Sequence, residues 1–70
     1  MNQKEKLVAR IILSEKPWEE MKKIRKEKGM SQKELAQKMR ITSSVLSDYE
    51  SGRRKNPGVF FIKRFVENLL

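Results

Sequence analysis

Residues 31–52, SQKELAQKMRITSSVLSDYESG, restrict this chain more than any other stretch. Two short amphipathic segments lie on either side of a tight break. Ser31 followed by Glu34 is a capping box: the serine oxygen accepts from an early helix N–H, and the glutamate reaches back to the N–H of the cap. Leu35, Ala36 and Met39 then fall on one helical face. Arg40-Ile41 interrupts, and Thr42 offers a second N-cap. Val45, Leu46 and Tyr49 fall on one face of the next segment, and Gly52 stops it where a residue of positive φ is wanted. Two helices of about two turns joined so closely must cross steeply, which is the helix-turn-helix arrangement.

The charge balance narrows the partner. Seventeen Lys and Arg against nine Asp and Glu leave +8 on 70 residues. A field of that sign favours a polyanion, nucleic acid before an anionic membrane surface. A merely solubilising surface is the competing explanation. The chain has no Cys, hence no disulfide, thiolate metal site or thiol nucleophile. It has no His and a single Asp, so the commonest general base and metal ligand is missing. No catalytic residue, metal or cofactor is therefore expected, and the chain is read as not an enzyme. Seventy residues allow one domain with a thin core. The longest apolar run is far short of a membrane span. Residues 1–14 lack the long apolar core and small-residue cleavage site of a signal peptide. A reducing, cytoplasmic setting without a membrane partner is expected.

Along the chain, residues 1–14 read as an N-terminal helical extension and residues 15–70 as the helix-turn-helix domain. The spacing of Leu7, Ile11 and of Val8, Ile12 suits a helix over about 4–13, although Ile11-Ile12-Leu13 also suits a short strand. After a break at 14–17, with Pro17 tolerated in a first turn, a helix runs to about residue 28. It carries Trp18, Met21, Ile24 and Lys28 at three- and four-residue spacing. Its glutamates come early and its lysines late, as the helix dipole favours, and Gly29 ends it. Trp18 reads as core rather than as a base-stacking platform, because the aromatics are not interleaved with basic residues. Arg53-Arg54-Lys55-Asn56 is a basic loop, and Asn56-Pro57 is expected to cap a last helix reaching about residue 69. Val59, Ile62, Phe65, Val66 and Leu69 should face inward. Phe60 lands nearly opposite, beside Lys63, Arg64 and Glu67, with Phe61 on the flank.

Arg25, Ser31-Gln32-x-x-Leu35-Ala36, Ile41-Thr42, Leu46, Tyr49-Glu50 and Gly52 together resemble the DNA-binding unit of the lambda repressor/Cro (XRE-type) family. With residues 18–70 behind them, the resemblance covers roughly three quarters of the chain. It implies an all-α, lambda-repressor-like helix-turn-helix bundle of four to five short helices. It also implies sequence-specific binding of double-stranded DNA in transcriptional regulation, by a dimer on a palindrome. The segments LSEKP, DYESGRRKNPG and FIKRFVENLL resemble archaeal members, which are usually longer. The chain is therefore expected to be the N-terminal domain of a longer regulator with further domains, or a free-standing relative.

The resemblance also assigns roles. A helix fits the major groove of B-DNA, and residues near its N-terminus meet base edges. With Leu46 and Tyr49 inward, Ser43, Ser44, Ser47 and Asp48 face out from a reading helix over about 43–50, at the base-contacting positions of the family. Serine donates or accepts, so it selects one base weakly. Asp48 accepts from a cytosine amino group but elsewhere repels phosphate. The bland alternative is that the serines only cap and solvate a short helix. Gln32 matches a phosphate-contacting position of the family, and Lys33 and Thr42 are further phosphate candidates. The basic run Arg53, Arg54 and Lys55, directly after the reading helix, is expected to meet phosphate or the minor groove rather than only to form a solvated loop. Lys38 and Arg40 are further candidates for backbone contact. The first-turn N–H groups of both helices suit anions whatever their side chains. Arg25 and Glu50 match a structural ion pair that holds the reading helix against the first helix of the domain.

Three departures accompany the match. Arg40 stands where the family usually has glycine, so either it takes positive φ at a cost or the turn uses ordinary dihedrals. The loop from Gly52 to Pro57 is one residue longer than usual. The family usually has a further helix after the one expected to end near residue 69, and residues 1–14 are candidates to cover the same surface. If they do not, Phe60, Phe61 and Leu70 are candidates for a homodimer interface, or for docking the rest of a longer regulator. The rival function from another class is a protein-interaction module on the same fold, such as a coactivator bridging factor or an antitoxin.

Overall fold

The computed structural model describes residues 1–54 and 57–70. Lys55 and Asn56, and with them the Lys55 phosphate contact, lie outside the described residues. Among the described residues there are five α-helices and no strand. They are α1 (Gln3–Ile12), α2 (Pro17–Glu27), α3 (Gln32–Met39), α4 (Ser43–Ser51) and α5 (Val59–Leu69). This is the all-α bundle that the sequence implies.

Most helix ends have a local chemical cause. The Asn2 side chain accepts from the Glu5 N–H at 2.8 Å and starts α1. Ile11 and Ile12 are helical, so the strand alternative is not taken up; Ile11 is buried and Leu13 is exposed. Pro17 opens α2, where its missing N–H costs nothing. Ser31 Oγ accepts from the Glu34 N–H at 3.1 Å, and the Ser31 N–H reaches Glu34 Oε1 at 3.5 Å, which completes the capping box of α3. Thr42 Oγ1 accepts from the Val45 N–H at 3.2 Å and starts α4. The start of α5 differs from expectation. Its N-cap is Gly58, with no side-chain bond, rather than the Asn56-Pro57 pair.

The turn between α3 and α4 closes through a left-handed residue. The Arg40 N–H donates to the Gln37 carbonyl at 3.1 Å, and the Ile41 N–H to the Ala36 carbonyl at 3.0 Å. Gly29 and Met30 close α2 by the same pair of bonds, to the Lys26 and Arg25 carbonyls at 3.0 and 3.3 Å. The difference is that Arg40, at φ 58°, carries a side chain. Of the two options open to this turn, the strained one is adopted, at a cost of about 1–3 kcal/mol.

Helices α3 and α4 pack on each other, α2 packs on α4, and α5 packs on α3. Ile24, Leu35, Met39, Leu46, Phe65 and Val66 meet at the centre, each essentially inaccessible. Burial of each large side chain contributes about 1.5–3 kcal/mol. Ala36 is buried as well, a small side chain on the α3 face turned to the core. Arg64 reaches from α5 to the Met39 carbonyl and fastens α5 to the end of α3.

Helix α1 packs on both α2 and α5. Arg10 holds Glu20 through Nε at 2.7 Å and grips both oxygens of Glu27 at 3.1 Å. Those hydrogen bonds hold the Glu27 carboxyl below the ordinary range and push the Arg10 guanidinium up. Lys4 pairs with Glu67 at 2.7 Å.

Three packing expectations need correction. Val59 is on the inward face by register but is 49% exposed, because it stands a turn before Ile62, the first residue of that face to be covered. Helix α1 does not bury the Phe60 side of α5. Its contact runs along Lys63 and Glu67, while Phe60, one turn nearer the start of α5, remains 83% exposed. Trp18 is half-buried rather than core. Its indole lies flush on the end of α4, where a Cβ on Gly52 would stand 3.0 Å from Nε1.

Candidate nucleic-acid interface

The outer face of α4 depends on what holds the helix from behind. Arg25 in α2 grips Glu50 in the last turn of α4 with two parallel bonds, Nε to Oε2 at 2.8 Å and Nη2 to Oε1 at 3.0 Å. Its remaining nitrogen donates to the Met30 carbonyl at 2.7 Å. Both side chains are buried, at 8% and 1% exposure. A third bond comes from the N-terminus of α3, where Gln32 Nε2 donates to Glu50 Oε1 at 3.0 Å. One carboxylate thus ties α2, α3 and α4 together. Planar guanidinium against carboxylate fixes an angle as well as a distance, so α4 has little freedom to roll.

On the opposite side, Ser43, Ser44, Ser47 and Asp48 line a shallow polar cleft together with Gln32, Ser51 and Arg53. Ser43 and Ser44 are exposed, and Ser47 and Asp48 are half-covered. All four candidate base-contacting residues therefore share one surface. Asp48 has a cation at its side, with Arg53 Nη1 3.6 Å from its Oδ1. That proximity moderates the repulsion an isolated carboxylate would exert on phosphate. Ser51 was missed in the sequence, although it continues the row of Ser44, Ser47 and Asp48 at three- and four-residue steps. Its hydroxyl donates to the Asp48 carbonyl at 3.2 Å.

The candidate phosphate contacts fall into two groups. Gln32 and Thr42 already have work inside the fold, one bonded to Glu50 and the other capping α4. Lys33, Arg53 and Arg54 are exposed. Arg53 stands free of packing at 80% side-chain exposure. Arg54 instead lies over the Tyr49 ring, 5.0 Å from its centroid. Tyr49 in turn stacks on Phe61 of α5, with centroids 3.7 Å apart and planes 15° from parallel.

A capped helix pair, a buried ion pair behind the second helix and a polar face flanked by cations define a helix-turn-helix protein. The helix-turn-helix family profile matches residues 21–69, and the chain belongs to that family. The particular relatives are archaeal. An "Uncharacterized HTH-type transcriptional regulator" of Archaeoglobus fulgidus is 50% identical over 62 residues, covering 89% of this chain and 27% of that protein. A protein of the same description from Methanocaldococcus jannaschii is 44% identical over 64 residues, covering 91% of this chain and again 27% of the relative. The chain thus spans about a quarter of the length of these curated relatives. No solved structure gives a significant match. Among the described residues, no helix is long and apolar enough to cross a membrane.

Proposed function

We propose that this chain binds double-stranded DNA in a sequence-specific manner as part of a cytoplasmic transcriptional regulator, with α4 inserted in the major groove. The observation that carries the reading is the shared surface of Ser43, Ser44, Ser47 and Asp48, set on a helix that the Arg25–Glu50 pair holds from behind. Serine hydroxyls and one carboxylate give modest direct readout, since no Arg or Gln reaches out from α4 for a two-bond contact with a base. Lys33, Arg53, Arg54 and Lys55, with the first turns of α3 and α4, supply the phosphate contacts that set register. In this reading residues 1–14 are an extension that braces the domain of residues 15–70, and the relatives' greater length makes further domains a natural complement.

The test is selection of bound sequences from a random duplex pool. Changing Ser43, Ser44, Ser47 and Asp48 together to alanine should erase the selected preference and leave most nonspecific affinity, because phosphate contacts remain. Survival of the preference would show that another face reads the bases.

The exposed Phe60 and Leu70, with the half-buried Phe61, support a second element of the reading, a homodimer that sets two α4 helices about one DNA turn apart. A phenylalanine left in water forgoes up to roughly 1.5–3 kcal/mol of burial. Sedimentation of wild type beside Phe60→Ser distinguishes the cases. A dimer that dissociates in the variant is expected, and two monomers of equal stability across the micromolar range would remove the dimer from the proposal.

A further inference from the structure

Arg54, Tyr49 and Phe61 form a three-layer stack that neither the helix caps nor the buried ion pair requires. Phe61 is anchored in α5 against the core. Tyr49 lies on it nearly parallel at 3.7 Å. The Arg54 guanidinium lies over the outer face of Tyr49 at 5.0 Å. The Arg54 N–H also points to the Asp48 carbonyl, at 3.5 Å. Backbone and side chain of Arg54 are thus both placed relative to α4, whereas neighbouring Arg53 has 80% of its side chain in solvent.

We propose that Tyr49 and Phe61 are positioning residues for DNA binding: they hold the Arg54 guanidinium ready for a single backbone phosphate beside the reading helix. The inference rests on the DNA-binding reading above and adds a division of labour to it. An arginine free in solvent loses rotamer freedom when it meets a phosphate. One already stacked has lost part of that freedom on folding, so less is lost on binding. A planar guanidinium seated over an aromatic ring can keep its N–H edges available to a phosphate. A lysine would carry the same charge but lack the flat surface that the stack requires.

The experiment measures duplex affinity across a salt series for wild type, Arg54→Ala, Arg54→Lys, Tyr49→Phe, Tyr49→Leu and the double variant Tyr49→Leu/Arg54→Ala. Far-UV circular dichroism confirms that each is folded at the assay temperature. Arg54→Ala should reduce the slope of log affinity against log salt by about 0.9, the loss of one phosphate. Arg54→Lys should keep the slope and weaken binding by about 2- to 10-fold, the effect of freeing one long side chain. Tyr49→Phe should match wild type. Tyr49→Leu should weaken binding by a similar factor in wild type and have no effect in the Arg54→Ala background. Equal losses in the two backgrounds would overturn the proposal, because Tyr49 would then act on the fold and not on Arg54. Should Tyr49→Leu fail to fold, Arg54→Lys decides alone: affinity equal to wild type at every salt concentration would show that charge suffices. A wild-type response without salt dependence would instead defeat the underlying DNA reading, which separates the two failures.

Discussion

Glu50→Ala is expected to lower the stability of the fold by roughly 3–5 kcal/mol, the range for removing one partner of a buried ion pair. The size follows from what is left behind. Arg25 keeps its charge, has 8% of its side chain exposed and retains only the Met30 carbonyl as partner. Gln32 loses its acceptor at the same time. A small domain has only about 5–15 kcal/mol in total, so the variant should be substantially unfolded under mild heating. Urea unfolding with the midpoint followed by circular dichroism measures this directly. Replacing both partners by apolar residues, Arg25→Met with Glu50→Leu, should recover much of the loss, since a well-packed apolar pair avoids the desolvation of two ions. The recovered protein should still bind DNA less specifically, because the two-bond geometry that sets α4 would be gone. A midpoint for Glu50→Ala within error of wild type would show that the pair bears no weight.

The second large effect is on affinity. Four cations per chain, Lys33, Arg53, Arg54 and Lys55, are proposed to meet phosphates. Each neutralised phosphate adds about 0.9 to the slope of log affinity against log salt. Between about 50 and 200 mM salt, binding should therefore fall by roughly 10²-fold for one chain and about 10⁴-fold for a pair acting together. The net charge of +8 adds a long-range pull that salt also screens. Fluorescence anisotropy of a labelled duplex across that range reads the slope. A flat line would mean that the basic surface serves solubility and that the partner is something other than DNA.

Much of the fold was legible because its signals are local. Ser31 and Thr42 are short side chains whose oxygens accept from N–H groups three residues on, and Glu34 accepts from the Ser31 N–H three residues back, so sequence spacing alone locates the helix starts. Gly29 and Gly52 mark ends by the same logic. The inward face of α5 follows from its period, yet Val59 shows the limit: register tells which way a side chain points, not whether anything stands opposite. Arg40 was ambiguous because spacing does not say whether a non-glycine residue there takes positive φ, and in the structure it does. What could not be read were the contacts made by long side chains between distant segments. Arg10 with Glu20 and Glu27, Arg64 with the Met39 carbonyl, and the layering of Arg54, Tyr49 and Phe61 have no periodic signature. The Arg25–Glu50 pair, 25 residues apart, came into view through the family resemblance and not through spacing. The polar face of α4 was legible as a remainder: once Leu46 and Tyr49 are turned inward, Ser43, Ser44, Ser47 and Asp48 are what is left outside.

The seat of Trp18 on Gly52 has a practical consequence. Trp18 is the only tryptophan in the chain, and its half-buried indole rests on the residue that ends α4. Its emission therefore comes from one known place, at the junction of α2 and α4. Any motion that lifts the end of α4 would wet that ring and shift its spectrum to the red. The molecule carries its own optical gauge for the seating of α4, with no dye to attach and no second fluorophore of the same kind to subtract.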